Sequence, residues 1–162
     1  MKLDVFNHIF PKKFYDRMLK VVPNGKDMHK RVRDIPCIVD LDARFRIMDR
    51  FGPDYAQVIC LPSPPIEVFG PPPLSTEMAK LANDGMAELV QKYPQRFPAF
   101  VASLPMNNVA ASLDEMDYAI RKLGARGIQV FTNVNGRPLD EPEFYPIFER
   151  CVKKYELPIW LH

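Results

Sequence analysis

The stretch LDVFNHIFP, residues 3–11, places Asp4, Phe6 and His8 at every second position. On a β-strand such residues share a face, so a carboxylate, a phenyl ring and an imidazole are expected side by side. Were position 6 a histidine, the pattern would read D-x-H-x-H and put two imidazoles on one metal ion. Phenylalanine has no lone pair, so this strand offers a single metal ligand, His8. A second imidazole closes the segment LPIWLH at His162. Neutral imidazole is among the commonest ligands of Zn²⁺ and similar divalent ions. The third histidine, His29, lies in the basic run KDMHKRVR (26–33), which lacks interleaved aromatic residues and reads as a solvated loop.

Strands and helices alternate along the chain to position these groups. KLDVF, AQVICL, FPAFVASL, GIQVF and LPIWLH read as five strands, short and largely apolar. PKKFYDRMLKVV, DLDARFRIMDRFG, TEMAKLANDGMAELVQKYP, NVAASLDEMDYAIRKLG and EPEFYPIFERCVKKYE read as helices. Asp40 or Asp42, Ser75 or Thr76, and Asn107 or Asn108 are the expected N-caps, with Gly52 and Gly124 as stops. Met78, Met86 and Met116 fall where helices face a core. Repeated βα units imply a parallel sheet covered by helices. No glycine-rich phosphate loop follows the first strand, which disfavours a dinucleotide fold. The expected architecture is therefore α/β, a (β/α)8 TIM barrel of which the chain supplies about the first five strands, since a whole barrel needs about 250 residues. On this reading residues 1–162 are the N-terminal portion of a single barrel domain. Barrel active sites lie at the C-terminal strand ends, and there His8 and His162 could reach one ion.

Composition narrows the function class. The chain is 47% hydrophobic and 26% charged, as suits a folded domain, and its net charge of +2 implies neither a nucleic-acid nor a membrane partner. Three scattered cysteines, Cys37, Cys60 and Cys151, form no CxxC pair and suggest no disulfide framework. Polar residues interrupt the N-terminus where a signal peptide needs an apolar core, so a cytoplasmic setting is expected. The proline-rich PSPPIEVFGPPP follows the second strand and is expected to form an active-site rim or lid, with Ile66, Val68 and Phe69 packed; docking of its prolines on an SH3-like domain is the weaker reading. In TNVNGRPLDEP after the fourth strand, Asn133 is placed to hydrogen-bond a substrate, while Asn135-Gly136 is turn chemistry.

MKLDVFNHIFP, RIMDRFGPDYAQVICL, the run from LPMNNVAASL to EPEFYPIFERC and LPIWLH together resemble the amidohydrolase-2 family, in the branch that holds aminocarboxymuconate-semialdehyde decarboxylase and the aromatic-acid decarboxylases. The resemblance implies a divalent metal, zinc or manganese, bound by His8 and His162. It matches Phe6 to a ligand position that is usually histidine and in some decarboxylases glutamate. It also puts the catalytic histidine and a metal-binding aspartate beyond residue 162. Asp4 is expected to orient His8 from behind, and Phe6 to wall the substrate site. The implied activity is metal-dependent decarboxylation of an aromatic or unsaturated carboxylic acid, a small-molecule substrate, by a homodimer of the full-length protein. Hydrolysis of an ester, amide or lactone is the alternative within enzymes; a metal-free, non-enzymatic barrel is the alternative that Phe6 raises.

Overall fold

The computed structural model describes residues 1–22 and 34–162; the basic run with His29 lies outside the described residues. The first strand, β1 (Lys2–His8), leads into helix α1 (Lys12–Val21), which buries Phe14 and Met18. Helix α2 (Leu41–Asp49) opens at Asp40, whose side chain accepts the Ala43 N–H, and precedes β2 (Tyr55–Cys60). Helix α3 (Pro72–Lys92) begins earlier than expected. Pro72 and Pro73 sit in its first turn, where a missing N–H costs nothing. Ser75 and Thr76 are thus inside the helix, Thr76 Oγ1 donating back to Pro72 O at 2.7 Å, and neither caps it.

The third strand is split into β3 (Ala99–Phe100) and β4 (Ala102–Ser103), because it exchanges partners at Val101. Before that residue it pairs with β2, and after it with β5 (Ile128–Val130). Helix α4 (Val109–Tyr118), capped by Asn108, ends through a wide turn at left-handed Gly124. A hairpin of β6 (Asn133–Val134) and β7 (Arg137–Pro138) turns on Asn135 and Gly136, both at positive φ. Helix α5 (Tyr145–Glu149) precedes β8 (Ile159–Leu161), which pairs with β5. All pairings but the hairpin are parallel, so five strands run side by side in chain order, as the first five units of a βα barrel do.

Two faces follow from this order. Strand residues Ile59 and Phe100 face outward and pack against Phe14, Met48, Met78 and Met86 of the helices, and Met116, Ile128, Phe144, Ile147 and Cys151 form the matching core around β5 and β8. The methionines are core residues, as their helical spacing predicts. The inner face is Val58, Cys60 and Val101, with Ala99 and Trp160 against them. Asn83 in α3 pins the partner-switching strand: its Oδ1 accepts Ser103 N–H and its Nδ2 donates to Ser103 O, both at 2.9 Å. No helix among the described residues is long and apolar enough to cross a membrane.

One expectation about β1 is corrected. Asp4 pairs with Gln57, but the next pairs are Asn7 with Ile59 and His8 with Cys60, so β1 carries one extra residue between them. Such a bulge reverses the alternation of side chains. Asp4 shares the outward face of Gln57, whereas His8 shares the inward face of Cys60. The two are not on one face.

Candidate metal centre

His8 ends β1 and His162 follows β8, at the C-terminal ends of the first and fifth strands. Backbone bonds place them: Arg44 donates to His8 O, and His162 N–H extends the ladder to Val130 O at 2.9 Å. Their Nε2 atoms meet 3.3 Å apart. That is the separation of two nitrogens each about 2.0–2.1 Å from a shared ion. The structure thus brings together the two imidazoles expected as ligands, and they fit two positions of a divalent metal site. Among the described residues, no group of three His, Cys, Asp or Glu side chains that could hold a metal occurs.

Phe6 stands beside them. Its ring centroid lies 5.0 Å from that of His8 and 5.7 Å from that of His162, and the side chain is 42% exposed. The Phe131 ring lies tilted against His162, with centroids 4.5 Å apart. Two phenyl rings thus touch the imidazole pair, Phe6 meeting His8 edge-on. Asn133 lies exposed in the hairpin beyond, its Oδ1 accepting Gly136 N–H at 3.0 Å, which leaves its amide nitrogen for other partners.

His8 is held from behind by a residue the sequence reading overlooked. Cys60 Sγ lies 3.3 Å from His8 Nδ1 and 3.4 Å from Asn7 O. Burial pushes this thiol up to about 12, so it stays protonated at neutral pH. With Nδ1 directed at sulfur, Nε2 is the nitrogen facing His162. Its inward register opposite His8 was the available signal.

Asp4, expected to orient His8, instead accepts from Tyr55 Oη at 3.0 Å and from Phe6 N–H at 3.2 Å. Tyr55 Oη accepts from Gln57 Nε2, and Gln57 Oε1 accepts from Arg44 at 2.7 Å. Arg44 is only 4% exposed and also donates to Cys37 O. Desolvation in this site pulls its pKa below the usual arginine value. Asp4 is thereby linked to the backbone of His8 through a chain of hydrogen bonds on the helix side.

The loop after β2 carries a further titratable group. Ile66 and Phe69 are buried as expected, while Val68 is 51% exposed, against expectation, because the 3-10 turn over Ile66–Phe69 points it outward. Glu67 is 4% exposed, and its Oε1 has no hydrogen-bond partner. Burial raises its pKa from 4.5 to about 7, its own backbone N–H offsetting part of the shift. The folded state therefore holds this proton more tightly than the unfolded state. The contribution to stability is complete below the unfolded value and is lost as pH rises through about 7. Glu67→Gln is expected to flatten that dependence and to raise stability at about pH 8 by roughly 3 kcal/mol. Urea denaturation midpoints measured against pH check this; parallel curves for the two proteins would refute it.

Comparison with known proteins places this geometry. The model of the amidohydrolase-2 family, described as an amidohydrolase, matches residues 21–162. The chain belongs to the amidohydrolase family. The chain is 33% identical over 171 residues to a 2-amino-3-carboxymuconate-6-semialdehyde decarboxylase of Dictyostelium discoideum, a match covering 94% of the chain and 46% of the relative. It is 31% identical over 142 residues to a γ-resorcylate decarboxylase of Polaromonas sp., covering 84% of the chain and 41% of that protein. All of the chain superposes on half of a 5-carboxyvanillate decarboxylase from Novosphingobium aromaticivorans, solved with bound manganese, with a TM-score of 0.84 and 27% identity. The chain thus spans less than half the length of these curated relatives, and its fold is the first five units of their TIM barrel. The family match starts after β1, so the departure at Phe6 falls outside it.

Proposed function

We propose that the full-length protein is a metal-dependent decarboxylase of an aromatic or unsaturated carboxylic acid, acting through a divalent ion, manganese or zinc, held by His8 and His162. The observation that carries this reading is the convergence of the two Nε2 atoms at the C-terminal end of the strands. Two features support it: relatives named as decarboxylases, and manganese in a solved neighbour. The ion, when bound, supplies a Lewis acid and a template for the substrate carboxylate or a neighbouring hydroxyl.

This chain's own residues do the rest of what the geometry allows. Phe6 and Phe131 put apolar aromatic surface beside the imidazoles, suited to a planar ring or conjugated chain. Neutral Cys60 and the Arg44 bond to the His8 carbonyl hold His8 in place. Asn133 offers an amide N–H at the rim. In the reaction the bond from the ring or vinylic carbon to the carboxylate carbon breaks. The bonding pair stays on the ring or vinylic carbon, which takes up a proton, and the carboxylate leaves as carbon dioxide. The proton donor belongs to the part of the barrel beyond residue 162.

The test is product analysis on the full-length protein supplied with Mn²⁺ and a panel of 2-hydroxybenzoates and muconate-type acids. Release of carbon dioxide with one equivalent of the decarboxylated product supports the reading. Cleavage of esters, amides or lactones without carbon dioxide assigns the protein to hydrolysis instead, and turnover of neither class overturns the enzymatic reading.

A further inference from the structure

Trp160 stands on the inner face of β8, two residues before His162. Its indole Nε1 donates to Val5 O at 2.9 Å. Val5 belongs to β1, within the bulged stretch between Asp4 and Asn7. Strands β1 and β8 are the two ends of the five-strand order, so no ladder bond joins them. The indole bond instead runs across the concave face, between residues 155 apart in the chain.

The indole is also seated from below. A Cβ on Gly127 would lie 2.8 Å from the Trp160 ring and 2.7 Å from Pro158 O, so glycine at that position makes room for the ring. Val58, Cys60 and Val101 pack against it from the inner face. Cys60 is the same residue that faces His8 Nδ1. The ring is thus fixed on several sides while its one donor reaches the strand that carries His8.

We infer that Trp160 is a positioning residue of the candidate metal centre. Its hydrogen bond to Val5 acts as a chord across the sheet and sets how far His8 on β1 stands from His162 on β8. The inference rests on the proposed function for its metal, but not for the chord itself. The bulge gives the chord its purpose: an extra residue loosens the β1 ladder just before His8, and a bond from the far strand restrains that segment.

Two measurements on the full-length protein test it. Trp160→Phe keeps an aromatic ring and removes the donor; replacing Trp160 by 3-benzothienylalanine removes the donor with almost no change of shape, should the phenylalanine variant fold poorly. First, Mn²⁺ affinity is read from the electron paramagnetic resonance signal of the free ion. It is expected to weaken about tenfold, as for loss of one hydrogen bond of about 1.4 kcal/mol. Second, amide hydrogen exchange over residues 2–10 without metal is expected to accelerate in the variants while the helices stay protected. Unchanged affinity in variants of a protein that does bind Mn²⁺ overturns the inference. If the parent protein binds no Mn²⁺, the proposed function fails, and exchange alone decides the chord: unchanged rates over residues 2–10 overturn it too.

Discussion

Phe6→His is expected to tighten Mn²⁺ binding by about a hundredfold. Structural zinc sites bind with about 10–16 kcal/mol shared over four ligands, so one added imidazole is worth about 3 kcal/mol, or roughly two decades of affinity. The geometry favours the full effect. The Phe6 ring lies 5.0 Å and 5.7 Å from the two imidazoles, whose Nε2 atoms are 3.3 Å apart. It is also partly exposed, so an imidazole of smaller volume needs no core to collapse around it. Titration of the full-length parent and variant with Mn²⁺, followed by isothermal calorimetry, measures the difference. A parent that binds weakly and a variant that binds tightly identify Phe6 as the residue that weakens the site. Equal affinities mean that position 6 does not face the ion.

His8→Ala is expected to abolish both metal binding and turnover while leaving the fold in place. Its imidazole is one of the two proposed ligands, and removing it leaves one of them among the described residues. The fold has little reason to fail. His8 is anchored through its carbonyl, which Arg44 holds, and its backbone pairs with Cys60; neither depends on the ring. The ring itself contributes edge contacts with Phe6, His162 and Cys60, so a loss of about 1–2 kcal/mol in stability is expected. Thermal melting and metal analysis of the purified variant separate the two effects. Unchanged metal content and turnover would remove His8 from the site and the enzymatic reading with it.

Much of this architecture was legible in the sequence because the signals were periodic. Short apolar runs such as AQVICL fit strands covered on both faces, and the helices between them carried caps and stops at readable spacing. Asn108, one of two adjacent candidates, is the true cap; Asn107 instead donates to Gly70 O and accepts from Ser75, tying two loops together. Where two helix signals competed, the reading chose wrongly: Ser75 and Thr76 looked like caps because the prolines before them looked like loop. A proline pair is equally a helix start, and only the tertiary position of Pro72 decides between them.

In the candidate site the meeting of the two imidazoles was legible and their supports were not. Strand ends alone put His8 and His162 together, as the structure does. Asp4 was misplaced because alternation was counted without a bulge, and nothing in LDVFNHIFP marks one. Cys60, Arg44 and Trp160 were missed for a related reason. Each acts through a partner remote in sequence, at separations of 52, 36 and 155 residues, that only the folded arrangement of strands reveals. A buried arginine in particular reads like any helix-surface charge until its carbonyl acceptors are seen.

The central claim is tested most directly by anomalous diffraction from crystals of the full-length protein grown with Mn²⁺. The account predicts a manganese peak within bonding distance of both His8 Nε2 and His162 Nε2, with the Phe6 ring beside it. Decarboxylation by crystals whose manganese lies elsewhere, or whose two imidazoles face each other with no ion between them, would contradict it.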